Sequence, residues 1–278
     1  MNPHTAKSAR SPERYHTILR SFPTLVPVIV LVKAIFFLEK QVLNQSSRNS
    51  SIELTLHQKA MLALPWSYRM VKVILVRHGE TDWNLKEIFR GRLDIELNET
   101  GIEQACLLGK YLSQQKITAV YSSPLRRALE TAKAIATYHH LQVLPTPNLI
   151  DFNYGEWQGL SLQAVGERYK DLYRTWQTSP HLVTIPSGEN LASVRQRALM
   201  ELQIIISKHR GTIILVSHRV VNKVLICAIL GLDNSHFWNI RLDNCGITTF
   251  QYSKEHYILL EHNNTSYLKT AHKLNTDF

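Results

Sequence analysis

Basic and imidazole side chains stand directly after a short apolar run near residue 77. The run 73–76 is aliphatic and does not alternate with polar residues, which predicts a strand covered on both faces. Arg77 and His78 follow it, and Gly79 allows close approach of the backbone to a ligand. Because ligands of open α/β sheets bind beyond the carboxyl ends of the strands, these residues mark a candidate site.

Two further predicted strands are also followed by an arginine or a histidine. Arg127 lies just inside the helix that follows the strand at 119–121, and His218 follows the strand at 212–216. Parallel strands end at one edge of a sheet, so these groups should converge with Arg77 and His78, and Asn84 should lie nearby. Forked guanidinium groups and amide donors suit a tetrahedral phosphate dianion. The sequence therefore predicts a phosphate-binding pocket.

An imidazole among arginines favours nucleophilic chemistry. Neighbouring positive charge lowers the pKa of a histidine, so the ring stays neutral and can attack phosphorus. The departing oxygen then needs a proton, which a carboxyl group at the pocket mouth can donate before it activates water as a base. Asp151, Glu156 and Glu80 are the candidates for this group.

Predicted strands and helices alternate regularly from residue 70 onward, and these elements must position the candidate groups. Helical spacing predicts helices near 99–115, 161–176, 189–209 and 220–230, and another that starts with Ser123 as N-cap and Pro124 at its first position. Short apolar strands separate them, and two more strands close the chain. This order predicts one α/β domain, a three-layer sandwich with a mainly parallel sheet and helices on both faces.

The first quarter of the chain differs in composition from the rest. Residues 1–69 form a basic extension, which we expect to be poorly ordered, ahead of a catalytic domain at 70–278. The apolar stretch 22–38 contains two prolines and Lys33 and has no clear small-x-small cleavage site. Membrane association or export through this stretch is therefore the less favoured alternative.

Charge and cysteine content narrow the choice of partners. The chain carries a net charge of +10, but residues 1–69 hold nine Lys/Arg against three Asp/Glu, so the remainder is only mildly basic. No basic run interleaved with aromatic residues indicates a nucleic-acid groove. The three cysteines show no CxxC spacing, which favours reduced thiols and a cytoplasmic location. The sequence carries no signal for an oligomeric state.

Five segments of the chain together match a known family pattern over 72–268. They are RHGET at 77–81 with Asn84, SSPLRRA at 122–128, LIDFNYGEWQG at 149–159, Gly-Glu at 188–189 and VSH at 216–218. In these segments the sequence resembles the histidine phosphatase superfamily, in its phosphoglycerate-mutase-like branch. The resemblance implies an α/β fold and phosphoryl transfer without a metal or another cofactor.

The resemblance also implies roles for individual residues. His78 would become the phosphohistidine, and Arg77, Arg127 and His218 would clamp the phosphoryl group. Asn84 would add a hydrogen bond. The family's proton donor is usually Glu at the third position of the 149–159 segment, where this sequence has the shorter Asp151. Glu156 stays open as an alternative donor.

Two arginines depart from the family pattern. Arg90, followed by Gly91 as a further substrate contact, stands where relatives often carry a small or amide residue, which suggests an anionic or polar leaving group. Arg219 stands where a small residue commonly follows the histidine. It either narrows the pocket or adds positive charge to it.

Hydrolysis of a small phosphorylated metabolite is the function we expect. The region 159–188 is short and lacks the long basic insertion of the glycolytic mutases, so water should reach the phosphohistidine. The segments 187–197, 236–238 and 267–273 resemble metal-independent phosphoserine phosphatases, although those enzymes can have histidine at the position of Tyr154. The alternatives are a cofactor-dependent phosphoglycerate mutase, an α-ribazole phosphatase and a non-catalytic module that binds phosphorylated ligands.

Overall fold

The computed structural model describes residues 70–268. The predicted extension 1–69, with its apolar stretch 22–38, lies outside the described residues. The strands are β1 (Met70–Arg77), β2 (Ile117–Ser122), β3 (Val143–Pro145), β4 (Gly211–Ser217), β5 (Ile247–Ser253) and β6 (His256–Asn264). The α-helices are α1 (Asp82–Leu85), α2 (Glu99–Leu112), α3 (Arg126–His139), α4 (Leu162–Arg168), α5 (Lys170–Thr178), α6 (Leu191–Lys208) and α7 (Arg219–Ile229).

Within residues 70–268 the strands form one six-stranded sheet in the order β3-β2-β4-β1-β5-β6. The pairs β3–β2, β2–β4 and β4–β1 are parallel, whereas β5 and β6 add an antiparallel edge. Strands β1 and β4 therefore lie at the centre, and helices connect β1 to β2 and β3 to β4 across the sheet. The expectation of a mainly parallel α/β sheet is confirmed.

The central strand β1 is covered on both faces, as its apolar run predicts. Val73 and Leu75 belong to a core that includes α6 and α7, whereas Ile74 and Val76 belong to a second core that includes α2 and α3. All four side chains are buried. Successive side chains of a strand point to opposite faces, so a run without polar residues fills both layers of the sandwich.

One predicted helix start is wrong. Helix α3 begins at Arg126 with Leu125 as its N-cap, not at Pro124 with Ser123 as the cap. The Ser123 N–H instead donates to the carbonyl oxygen of Val216 at 2.9 Å. Ser123 thus continues the sheet beyond β2, and its hydroxyl stays at the sheet edge.

The helix predicted over 161–176 is two helices. α4 ends and α5 begins around Tyr169, whose φ of −125° and ψ of 44° interrupt the helix.

Within residues 70–268, no helix has both the length and the apolar content that a membrane crossing needs.

Close backbone contact fixes the loop that follows β1. A Cβ on Gly79 would lie 2.6 Å from the carbonyl oxygen of Gly101 in the first turn of α2, and a Cβ on Gly101 would collide with the backbone of Glu80. The Gly79 N–H also donates to Thr131 Oγ1 of α3 at 3.1 Å. Helices α2 and α3 therefore hold the chain immediately after His78 in one position.

We expect Gly101→Ala to reduce both stability and activity. The added methyl has no space against Glu80, so the loop after His78 must shift, at a cost of about 1–3 kcal/mol in the free energy of unfolding. Urea unfolding and kcat at a temperature where the variant is folded measure the two effects. Gly109→Ala is the control, because its methyl would meet Ala134 of α3 instead. A wild-type kcat for Gly101→Ala would contradict this account of the loop.

Candidate active site

Three strand ends meet at one edge of the sheet. In the parallel pairing of β1 with β4, Arg77 lies opposite Ser217. The ladder then continues past the strands, because the His78 N–H donates to the carbonyl oxygen of Ser217 at 3.0 Å. His78 and His218 therefore leave the sheet side by side, as the sequence predicts.

His78 is oriented with one ring nitrogen turned to the backbone. Its Nδ1 lies 2.7 Å from the carbonyl oxygen of Gly79, which can only accept, so Nδ1 carries the hydrogen. The other nitrogen, Nε2, then carries the lone pair. Burial, followed by the charge of Arg127, holds the pKa of His78 well below its ordinary range. The ring is therefore neutral at physiological pH.

His218 faces His78 across the pocket, with ring centroids 5.1 Å apart. Its Nε2 lies 2.7 Å from Ser123 Oγ, and its Nδ1 lies 3.4 Å from Asp151 Oδ2. That Nδ1 is buried and makes no hydrogen bond within the described part of the chain. Burial and then Arg127 lower the pKa of His218 as well.

Two fully buried arginines flank the histidines. Arg127, in the first turn of α3, donates to the carbonyl oxygens of Gly91 at 2.7 Å and Leu93 at 2.9 Å. The same guanidinium pairs with Asp151 Oδ2 at 2.9 Å. Arg77 donates to the carbonyl oxygen of Leu242 at 2.7 Å. Both charges are thus held by backbone carbonyls close to the two imidazoles.

Asn84 lines the same pocket as His78. Its Oδ1 accepts hydrogen bonds at 2.9 Å from both the N–H and the hydroxyl of Thr81. These two bonds set the orientation of the amide. The role of Asn84 as a hydrogen-bond donor to the phosphoryl group stays a prediction.

The three candidate acids occupy different surroundings. Asp151 is 6% exposed and lines the pocket together with His78. Glu156 is exposed and accepts hydrogen bonds from Tyr169 at 2.7 Å and Ser187 at 3.3 Å. Glu80 accepts from Asn98 Nδ2 at 3.0 Å. Neither glutamate lines the pocket, so the structure brings only Asp151 to the histidines.

The loop that carries Asp151 is clamped by Arg197 of α6. The Arg197 guanidinium donates to the carbonyl oxygens of Asn148 and Ile150, both at 2.7 Å, and of Asp151 at 3.1 Å. Glu189 binds this guanidinium at 3.1 Å and also accepts from Arg92 at 3.0 Å. Arg197 thus makes three of the hydrogen bonds that hold the loop of Asp151, and Arg92 adds another to the Asp151 carbonyl oxygen at 3.4 Å.

Sequence reasoning assigned no role to Ser123 at His218, to Arg197 or to Glu189. Gly188-Glu189 was visible as part of a motif, but its partner Arg197 lies eight residues further on, within α6. The carbonyl groups that Arg197 binds have no sequence signature. Only the folded chain shows that Ser123 contacts His218 and that Arg197 and Glu189 hold the Asp151 loop.

The outer part of the pocket is polar and aromatic. The residues that line the pocket are His78, Asn84, Glu87, Ile88, Phe89, Arg90, Gly91, Asp151, Tyr154, Leu162, Arg219 and Val220. Arg90 and Arg219, the two departures from the family pattern, therefore share one pocket with the nucleophile. Trp157 and Trp176 are buried in an aromatic cluster beneath it.

Residues 70–268 contain neither a metal-binding cluster nor a disulfide. No group of three or more His, Cys, Asp or Glu side chains there is arranged to hold a metal ion. All three cysteines are unpaired, and burial raises the pKa of Cys227 and Cys245. The chemistry of the described site is that of imidazole, guanidinium and carboxylate groups.

A neutral histidine at a sheet edge, flanked by arginines and facing a carboxylate, defines a class of phosphoryl-transfer protein. The model of the histidine phosphatase superfamily (branch 1) matches residues 73–265. The chain belongs to this family.

Several proteins are similar to this chain in sequence and in fold. Phosphoserine phosphatase 1 of Hydrogenobacter thermophilus is 38% identical over 200 residues, which cover 72% of this chain and 95% of that protein. The structure of YhfR from Bacillus stearothermophilus superimposes with a TM-score of 0.69 and 28% identity, covering 71% of this chain and 99% of that one. A variant phosphoserine phosphatase from Entamoeba histolytica, solved with phosphoserine, has a TM-score of 0.65 and 30% identity, covering 71% and 99%.

We expect Arg197→Met to lower kcat by about 10- to 100-fold, because the carboxylate of Asp151 loses its fixed position. KM should change less, since the arginines nearest His78 are untouched. Steady-state kinetics measure both constants.

Arg195→Met is the matched control on the same helix. Arg195 donates to the carbonyl oxygen of Leu232 at 2.6 Å, away from the Asp151 loop. Its loss should affect stability but not kcat. Equal losses of kcat in the two variants would show that Arg197 acts only through general stability.

Proposed function

We propose that this chain is a phosphatase that hydrolyses small phosphomonoesters through a phosphohistidine intermediate on His78. The orientation of His78 carries the proposal. Its Nδ1–H is committed to the Gly79 carbonyl, and burial with Arg127 keeps the ring neutral. The Nε2 lone pair is thus available to attack phosphorus.

The buried groups around His78 supply the means to hold the phosphoryl group. Arg77 and Arg127 provide positive charge, and His218 and Asn84 provide polar nitrogens beside the nucleophile. Preorganised donors stabilise the charge that develops on the equatorial oxygens during transfer. These four residues would therefore bind the transferring group rather than the leaving group.

Asp151 would move the protons. As Nε2 of His78 bonds to phosphorus, the bond from phosphorus to the ester oxygen breaks, and Asp151 protonates that oxygen. The resulting carboxylate then takes a proton from water, whose oxygen attacks phosphorus and breaks the bond to Nε2. Inorganic phosphate leaves, and His78 and Asp151 return to their first states.

Phosphoserine is the first candidate substrate. A relative 38% identical to this chain is named phosphoserine phosphatase 1, and a second relative was solved with phosphoserine. The tyrosine at position 154, where phosphoserine enzymes can have histidine, argues for a different contact to the leaving group. Hydrolysis is favoured over mutase activity because 159–188 contains only short helices and no long insertion.

We also propose a cytoplasmic location. The three unpaired cysteines support a reducing compartment. Membrane association through 22–38 stays the less favoured alternative, and that stretch lies outside the described residues.

The test of function is phosphate release from a set of metabolites that includes phosphoserine, 3-phosphoglycerate and α-ribazole phosphate. We expect release without added bisphosphoglycerate and a loss of about 1,000-fold or more in His78→Ala. Phosphate exchange that requires bisphosphoglycerate without net release would instead identify a mutase. Binding without turnover would identify a non-catalytic module, and activity that survives in His78→Ala would refute the mechanism.

Asp151→Asn tests the proton donor. With alkyl phosphomonoesters we expect kcat to fall by about 100- to 10,000-fold, because the leaving oxygen needs a proton. With p-nitrophenyl phosphate, whose leaving group needs none, the first step should persist and the phosphoenzyme should accumulate. A burst of nitrophenol and acid-labile, alkali-stable labelled protein are the readouts. Glu156→Gln is the control, and a burst in that variant alone would reassign the acid to Glu156.

A further inference from the structure

Ser123 contacts the imidazole of His218 at the edge of the sheet. Its hydroxyl oxygen lies 2.7 Å from His218 Nε2, and both side chains are fully buried. The two residues follow the paired strands β2 and β4, and the bond from the Ser123 N–H to the Val216 carbonyl continues that pairing. The backbone therefore holds the Ser123 hydroxyl in a fixed position on the Nε2 side of the ring.

The direction of this hydrogen bond follows from the surroundings of the hydroxyl group. The Ser123 oxygen accepts from the Leu125 N–H at 3.3 Å, and within the described part of the chain its other hydrogen-bond partner is His218 Nε2. A buried hydroxyl hydrogen that finds no acceptor is costly. The Ser123 O–H therefore donates to Nε2, which must carry the lone pair.

The same bond fixes the hydrogen of His218 on Nδ1. Burial, followed by the charge of Arg127, lowers the pKa of His218, so the neutral ring carries a single hydrogen. With Nε2 as the acceptor, that hydrogen must be on Nδ1. Nδ1 lies 3.4 Å from Asp151 Oδ2, and Asp151 lines the pocket that contains His78. His218 thus presents an N–H towards the carboxyl group of the pocket.

The two neutral histidines of the site consequently present opposite groups. The Gly79 carbonyl accepts from Nδ1 of His78, which leaves a lone pair on Nε2. The Ser123 hydroxyl donates to Nε2 of His218, which leaves an N–H on Nδ1. One ring can therefore attack phosphorus, and the other can donate to a phosphoryl oxygen. Both rings are buried and have lowered pKa values, so the difference depends on their hydrogen-bond partners.

Asp151 by itself cannot hold this tautomer of His218 throughout a reaction. As a carboxylate it favours a hydrogen on Nδ1, because a lone pair there would face a negative oxygen at 3.4 Å. As the protonated acid it can instead donate its own hydrogen to a lone pair on Nδ1. That bond would withdraw the proton that the leaving oxygen needs. A second group must therefore keep the hydrogen on Nδ1 when Asp151 is protonated.

We propose that Ser123 is a positioning residue that keeps the hydrogen of His218 on Nδ1 while Asp151 gains and loses its proton. This inference rests on the proposed phosphatase function, in which Asp151 is the proton donor. It gives a role in the reaction to a residue that the sequence pattern assigns to a helix cap.

Nitrogen NMR of the full chain with isotopically labelled histidine measures the tautomer, and loss of a signal in His218→Gln identifies the ring. We expect the hydrogen on Nδ1 in the wild type and in Asp151→Asn, whose amide imitates the protonated acid. When Asp151→Asn is combined with Ser123→Ala, the hydrogen should move to Nε2, because the amide can donate to Nδ1 and no hydroxyl holds Nε2. A hydrogen that stays on Nδ1 in this double variant would refute the proposal.

Ser123→Ala should lower kcat for p-nitrophenyl phosphate by about tenfold, because His218 no longer donates to the phosphoryl group in every molecule. The loss with phosphoserine should be larger, since only its leaving oxygen needs the proton of Asp151. Ser122→Ala is the matched control. Ser122 is equally buried, but its hydroxyl donates to the carbonyl oxygen of Ser123 at 2.9 Å. Its kcat and its His218 signal should equal those of the wild type.

The two proposals fail in different ways. If the wild type releases no phosphate from any phosphomonoester, the phosphatase proposal fails, and the role of Ser123 in the reaction fails with it. If the wild type is active but Ser123→Ala keeps the wild-type kcat with both substrates, the positioning role is refuted while the phosphatase proposal stands. Equal losses of kcat in Ser122→Ala and Ser123→Ala would likewise refute it, because any buried hydroxyl would then have the same effect.

Discussion

The parallel pairing of β1 with β4 positions the groups on which the site depends. Their register runs from Val71 opposite Gly211 to Arg77 opposite Ser217 and is extended by the bond from the His78 N–H to Ser217. Because the two strands end together, both histidines leave the sheet at the same height. The two cores on either side of the sheet hold this register, since a one-residue slip would exchange the side chains of the two faces.

Burial of positive charge beside imidazole gives the site its reactivity. Arg127 is fully buried, yet its guanidinium is satisfied by two backbone carbonyls and by Asp151. A buried charge that is paired and hydrogen-bonded is tolerated. Burial of the two rings, and then the charge of Arg127, lowers the pKa of His78 and of His218. The ion pair that satisfies Arg127 also holds Asp151, the proposed proton donor, beside His218.

The sequence predicts the parts of the site that depend on strands better than the parts that depend on loops. The run 73–76 and the residues that follow it predict the position of His78, because strand burial follows directly from side-chain type. The N-cap predicted at Ser123 is wrong because that residue's N–H belongs to the sheet ladder. The surroundings of Asp151 and Glu156 depend on hydrogen bonds from Tyr169, Ser187 and Arg197, which leave no local pattern in the sequence.

The backbone of His78 is bonded from two sides, and this has a consequence for how such a protein can diversify. Its N–H binds Ser217, and its carbonyl accepts from Asn244 Nδ2 at 3.0 Å, so the nucleophile belongs to the rigid centre of the sheet. Arg90 lies in the loop after α1, and Arg219 is a half-buried residue at the start of α7. Neither residue takes part in the bonds that hold the His78 backbone. The part of the pocket that they line can therefore vary in sequence while those bonds keep His78 in place.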